Sequence, residues 1–257
     1  MSRIASVFAR ASHTALIPYI TVGYPNVETT LKAVPLFASN GCDIIELGIP
    51  FSDPLADGAT IQRASYEALR QGVTPKACFE VAQELRRRVE IPLVFMTYYN
   101  PVLKFGLEQF CSKCAEVGID GLIIPDLPPE EGQELEKSTR RHGLDLIYLL
   151  SPASTEERIK LVAGKSSGFI YLVSLTGVTG ARDKLPQELE GFVARVRKRT
   201  EKPLCVGFGV STPEQARRVA RVADGVIVGS RIIQLLDGDK LLENACSFVK
   251  CLREALS

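Results

Sequence analysis

The sequence predicts an α/β protein: one closed (β/α)8 barrel of the TIM type over residues 1–257, with a short N-terminal helix and extra helical segments. Three observations carry this. Eight short, apolar, β-rich runs lie along the chain. They are continuous rather than alternating, as expected of strands buried on both faces of a parallel sheet. Helix-like stretches separate them, and eight strand–helix units close into a barrel. An open doubly wound sheet would place GxGxxG after the first strand, and none is there.

The elements follow in order. Ile4, Val7 and Phe8 sit at helical spacing. No acidic residue precedes Glu28, and Arg3 and Arg10 are present, a faint likeness to a transit peptide. A short helix capping the domain fits better, because the first strand run, 15–22, follows almost at once. The other runs are 43–48, 92–97, 121–124, 145–150, 168–174, 203–208 and 225–229. Helix-like stretches cover 28–39, 76–89, 107–117, 130–141, 155–163, 186–199, 212–222 and 240–255. Ser154 or Thr155, and Ser211 or Thr212, are caps in the right places. Strand starts fall roughly 22–35 residues apart, except for a gap of about fifty between the second and third. Extra helix, 61–69, fills that gap.

Composition excludes several function classes. Lys+Arg is 31 against 30 for Asp+Glu, so bulk charge gives no support for nucleic-acid or membrane-surface binding. No apolar run is long enough to span a bilayer. Seven scattered cysteines suggest a reducing cytoplasm. Cys111 and Cys114 form the one CxxC, in a helix-like stretch without a second Cys or His cluster. That pattern is a packed helix face rather than a zinc or redox site.

The chemistry concentrates between Glu46 and Gly58. Glu46 lies inside an apolar run, where a carboxylate must be paired or shift its pKa. Asp53 and Asp57 follow on a loop with Pro50, Pro54 and Gly58. In a barrel this loop leaves the carboxyl end of the second strand, where active sites lie. Glu46 and Asp57 are a candidate acid/base pair; Asp57-Gly58 reads equally well as a turn. Asp126, after the fourth strand, is open between a helix-capping and a substrate role. Tyr19, Phe51, Met96, Tyr98, Tyr171 and Phe208 end strands and could line a flat apolar pocket, or simply pack. Gly177-Val-Thr-Gly180, Gly207-Phe-Gly209 and Gly229-Ser230 follow strands six, seven and eight. Their backbone N–H groups suit an anion such as phosphate.

The segment Glu46-Leu-Gly-Ile-Pro-Phe-Ser-Asp-Pro-Leu-Ala-Asp-Gly resembles the signature of the tryptophan synthase alpha subunit family. So do Pro18-Tyr-Ile-Thr-Val-Gly, Met96-Thr-Tyr-Tyr-Asn-Pro, Ile124-Pro-Asp-Leu-Pro, Tyr171-Leu-Val-Ser, Gly177-Val-Thr-Gly, Gly207-Phe-Gly-Val-Ser and Val228-Gly-Ser. The likeness spans nearly the whole chain. It implies a lyase that cleaves indole-3-glycerol phosphate to indole and glyceraldehyde 3-phosphate in tryptophan biosynthesis. By motif position, Glu46 and Asp57 are its catalytic carboxylates, with Glu46 protonated in its apolar strand and Asp57 ionised on a more polar loop. The resemblance implies an indole pocket of Tyr19, Met96, Ile123, Tyr171 and Phe208. Gly180, Gly209, Gly229 and Ser230 match a phosphate cradle, and Thr179 a loop residue that reaches the aspartate. Asp53 and Pro54 match the contact with a beta subunit in an alpha2beta2 heterotetramer; pyridoxal phosphate is expected only in that partner, and no metal here. A stand-alone indole-releasing lyase and a non-catalytic binder of a phosphate ligand are the competing expectations. Tyr24, Ala59 and Leu175-Thr176 depart from residues common in the family, which bears on loop closure and partner coupling.

Overall fold

The structure, a computed structural model, describes residues 1–10, 13–173, 189–207 and 209–257. It opens with α1 (Arg3–Arg10), β1 (Ala15–Thr21), α2 (Val27–Ser39), β2 (Ile45–Gly48), α3 (Ala59–Arg70), α4 (Pro75–Arg86) and β3 (Leu93–Met96). Next come α5 (Tyr99–Phe105), α6 (Leu107–Val117), β4 (Gly121–Ile123), α7 (Gln133–Arg141), β5 (Asp145–Ile147), β6 (Leu149–Leu150), α8 (Glu156–Lys165) and β7 (Ile170–Val173). The remainder holds α9 (Leu189–Arg197), β8 (Leu204–Gly207), α10 (Pro213–Ala220), β9 (Gly225–Val228), α11 (Ser230–Leu235) and α12 (Leu241–Ala255).

All strand pairings are parallel, in the order β5-β4-β3-β2-β1-β9-β8-β7-β6. The two ends of that row, β5 and β6, are separated in the chain by Tyr148 alone, so the sheet closes on itself there. The fifth run, 145–150, is thus two short strands. Tyr148 N–H bonds to Ser166 Oγ at 3.1 Å instead of to a strand. On one side of this break β5 pairs with β4; on the other, β6 pairs with β7.

Two apolar layers result from the strand alternation. Ile45, Phe95, Leu122 and Leu172 pack outward, with Phe37, Phe79 and Phe110 of the helices. Ile17, Ile44, Val94, Ile123 and Ile227 fill the barrel. Alpha-helix α1 is its floor: Ile4 is buried, and Phe8 meets Phe169 edge-on at 6.1 Å.

Helix starts follow local chemistry. Thr155 accepts from Arg158 N, and Thr212 forms a capping box with Gln215. The sequence reading has no counterpart of α5, a short helix with Pro101 in its first turn. Its start is fixed from a distance, by Asp126 Oδ1 accepting from Tyr99 N at 2.9 Å. That bond gives Asp126 a capping role. Cys111 and Cys114 are buried on α6 as free thiols, and burial pushes the Cys111 pKa up to about 12. Such thiols are inert, as expected of a packed face. Among the described residues, no helix is long and apolar enough to cross a membrane, and no His/Cys/Asp/Glu group could hold a metal ion.

Candidate active site at the carboxyl ends of the strands

Strand β2 turns Ile45 toward the helices, so Glu46 points into the barrel. Its register neighbours are Tyr19 on β1 and Val94 on β3. Glu46 is fully buried, and neither carboxylate oxygen has a hydrogen-bond partner among the described residues. Burial pushes its pKa well above the usual carboxylate range. Burial thus favours the protonated form, the form that can donate.

Asp57 lies on the loop between β2 and α3. The turn in this loop spans Pro54 to Asp57, closed by Asp57 N donating to Pro54 O at 3.0 Å. Gln62 Nε2 donates to Asp57 O at 2.8 Å and braces it from α3. The sequence reading expects a polar setting for this carboxylate. The structure corrects that: Asp57 is buried, and burial raises its pKa to about 6 against the lowering effect of a hydrogen bond from Tyr98. Tyr98 Oη donates to Asp57 Oδ2 at 3.1 Å. With a pKa of about 6, Asp57 is still mostly ionised at pH 7. Burial raises both carboxyl groups, and only Asp57 has a hydrogen bond among the described residues to oppose the shift.

Tyr19, Met96, Ile123 and Tyr171 converge around them. Met96 packs both on the cluster holding Ile123 and Tyr171 and on the cluster holding Tyr19. Besides burial, Glu46 and Asp57 each raise the phenol pKa values of Tyr19 and Tyr171, so all four groups share one chamber. Two glycines make room for the rings. A Cβ at Gly48 would fall 2.1 Å from Tyr19 Oη, and one at Gly207 would fall 2.6 Å from Tyr171 Oη. Both glycines end strands; from sequence Gly207 reads as part of an anion loop and Gly48 has no role of its own. Tyr98 is underrated too: its place just past the third strand suggests an apolar wall, not a donor to Asp57.

On the other flank of β1 from Glu46, after β9, Gly229 precedes α11 and Ser230 opens it, buried. Gly229 lies against Tyr19: a Cβ there would be 3.4 Å from Tyr19 Cβ. Gly209 follows β8. Thr179, Gly180, Leu175, Thr176 and Phe208 lie outside the described residues. Asp53 is exposed and Pro54 half-buried on the outer edge of the Asp57 loop, beside Leu55, which is 90% exposed.

A parallel barrel with two buried carboxyl groups, both held above the usual carboxylate range, at its carboxyl-terminal mouth has the architecture of a TIM-barrel enzyme. Its relatives narrow this further. The tryptophan synthase alpha chain family profile matches residues 6–255. A tryptophan synthase alpha chain from Dehalococcoides mccartyi is 59% identical over 256 residues, covering all of both chains. Another, from Geobacter sulfurreducens, is 47% identical over 262 residues, covering 100% of this chain and 99% of its own. Among solved structures, Mycobacterium tuberculosis tryptophan synthase superposes with a TM-score of 0.93 at 39% identity, over 99% of this chain and 98% of that one. The chain belongs to the tryptophan synthase alpha chain family. It is a lyase subunit for the indole-3-glycerol phosphate cleavage half-reaction of tryptophan biosynthesis.

Proposed function

We propose that Glu46 and Asp57 carry this cleavage, and the observation behind the assignment is the fully buried carboxyl of Glu46, which has no hydrogen-bond partner among the described residues. In the retro-aldol step indole C3 gains a proton, the bond from C3 to the glyceryl chain breaks, and the glyceryl hydroxyl loses a proton as the aldehyde forms. Glu46 donates to C3 and then accepts the hydroxyl proton, so it ends the cycle protonated. Asp57 accepts from the indole N–H as positive charge develops there. Tyr19, Met96, Ile123, Tyr171 and Phe208 line the indole pocket. Gly180, Gly209, Gly229 and Ser230 hold the phosphate through backbone N–H groups and the Ser230 hydroxyl, and Thr179 is the partner for Asp57 that the family motif supplies. The whole chain works as one domain in the cytoplasm.

Asp53 and Pro54 contact a beta subunit in an alpha2beta2 assembly, and the pyridoxal phosphate of the second half-reaction belongs to that partner. The test is indole-3-glycerol phosphate consumption by the purified chain, with and without a beta subunit. Loss of turnover in both Glu46→Gln and Asp57→Asn supports the assignment. Full turnover in either variant removes the role given to that residue.

A further inference from the structure

The Asp57 loop is fastened at one point to a part of the fold that has no assigned role. Tyr98 caps α5 and is 5% exposed. Its hydroxyl accepts from Ala56 N at 2.9 Å and donates to Asp57 Oδ2 at 3.1 Å. A phenol oxygen carries one proton. With the backbone N–H of Ala56 already donating to that oxygen, the proton is committed to Asp57. The ring is fixed as well: it stacks on Phe51 with centroids 5.2 Å apart. Its backbone is anchored by the Asp126 cap on Tyr99 N. Three strand ends are thus linked through Tyr98 and Tyr99: Phe51 and the Asp57 loop after β2 on the Tyr98 side chain, and Asp126 after β4 on Tyr99 N.

We infer that Tyr98 is a positioning residue for the cleavage, orienting the Asp57 carboxylate through its phenol hydroxyl. The inference rests on Asp57 facing the indole N–H. With Tyr98 Oη on Oδ2, the carboxylate cannot rotate freely, and its second oxygen is left for the substrate. The bond also opposes the burial that would otherwise protonate Asp57. The ionisable groups acting here, among the described residues, are Tyr98 after β3, Tyr19 on β1, Glu46 on β2 and Tyr171 on β7 around Asp57, with Asp126 after β4 acting on Tyr98. Tyr98 alone among them is hydrogen-bonded to the Asp57 carboxylate.

The test is the pH profile of kcat/KM for Tyr98→Phe, measured on the full chain in complex with a beta subunit. Phenylalanine keeps the stacking on Phe51 and removes only the hydroxyl. The expected result is a drop of about tenfold at pH 7, with the acid limb moved up by roughly one pH unit and the basic limb unmoved. A 13C titration of the Asp57 carboxyl in the full chain reads the same shift without turnover. Site-specific replacement of Tyr98 by 3,5-difluorotyrosine, a stronger donor of nearly the same shape, moves the acid limb the opposite way. This keeps the question open to test should Tyr98→Phe fail to fold. An unmoved acid limb and an unshifted titration overturn the inference. Asp57→Asn separates the two levels: if that variant keeps full turnover, the role of Asp57 itself is wrong. If it is inactive while Tyr98→Phe titrates like wild type, only the role of Tyr98 is wrong.

Discussion

The two ends of the barrel treat carboxylates in opposite ways. At the amino ends of the strands each one is satisfied. Asp43 accepts from Leu16 N at 2.8 Å and from Arg253 Nη1 at 3.0 Å. Asp120 accepts from Leu93 N and Arg86 Nη2, both at 2.9 Å, and from Arg3. Asp224 accepts from Leu204 N at 2.7 Å and pairs with Arg197. In all three, a carboxylate leading into one strand takes an N–H of a neighbouring strand and an arginine. At the carboxyl ends Glu46 has no partner among the described residues and Asp57 has one phenol. The same side-chain chemistry therefore stitches the strands together at one end and holds protons at unusual affinity at the other. Burial without compensation lowers stability, and a buried, perturbed carboxyl in a barrel mouth is the physical ground for the proposed site.

The sharpest way to break this contrast is to neutralise the mouth. Glu46→Gln should lower kcat by about a thousandfold or more, and Asp57→Asn by about a hundredfold, from loss of acid–base and electrostatic assistance. Both variants should fold, because an amide replaces a buried carboxyl of similar size. Steady-state kinetics with circular dichroism of the same samples decides it. Loss of activity through unfolding would place the mouth carboxylates with the structural ones.

The amino end should show the reverse pattern. Asp120→Ala removes the acceptor for Leu93 N and leaves Arg86, which is 16% exposed, without its carboxylate. Breaking such a pair should cost about 3 kcal/mol of stability in urea unfolding, while kcat stays within about twofold of wild type. A fall in kcat without a stability change would contradict the division between the ends.

The pH dependence of stability sharpens the contrast further. Asp57 has a folded pKa of about 6, raised above its ordinary value of 3.8. The folded state then holds the proton more tightly than the unfolded state, so stability falls as pH rises through the window from about 4 to about 6. The drop attributable to Asp57 is about 2–3 kcal/mol. Asp57→Asn should flatten the stability profile in that window, as followed by chemical unfolding at stepped pH. A profile as steep as wild type would mean that Asp57 is solvated.

Much of this was legible in the sequence, and the misses share a cause. Continuous apolar runs showed the parallel strands, and Glu46 stood out because no basic residue lies near it in sequence. The break at Tyr148, the α5 helix and the setting of Asp57 were not legible. Each depends on a partner far along the chain: Ser166 for Tyr148, Asp126 for Tyr99, Tyr98 for Asp57. Periodicity reports which side of an element is apolar, and does not report which distant hydroxyl or carboxylate reaches a backbone group. Tyr98 was visible as an aromatic at a strand end, but its hydroxyl acquires a role only once the loop from β2 is folded over it.

A final test concerns the rim between the two ends of the substrate site. Tyr24, one of the departures from the family pattern, is buried with its hydroxyl accepting from Arg63 Nη2 at 3.2 Å. Arg63 lies on α3, just past the Asp57 loop, and pairs with Asp237 beyond α11 at 2.6 Å. This clasp links the helix after the carboxylate loop to the short helix that Ser230 opens. Arg63 and Asp237 are both about half exposed, and such pairs contribute little, at most about 0.5 kcal/mol. Tyr24→Phe, which keeps the ring and loses the hydroxyl, should therefore leave kcat unchanged and raise KM by no more than about twofold. The effect should shrink in high salt, because the clasp is an exposed electrostatic contact. A tenfold rise in KM that persists in high salt would show instead that the clasp sets the distance between the carboxylate and phosphate sides of the mouth. The rim would then belong with the reactive end rather than with the exposed surface.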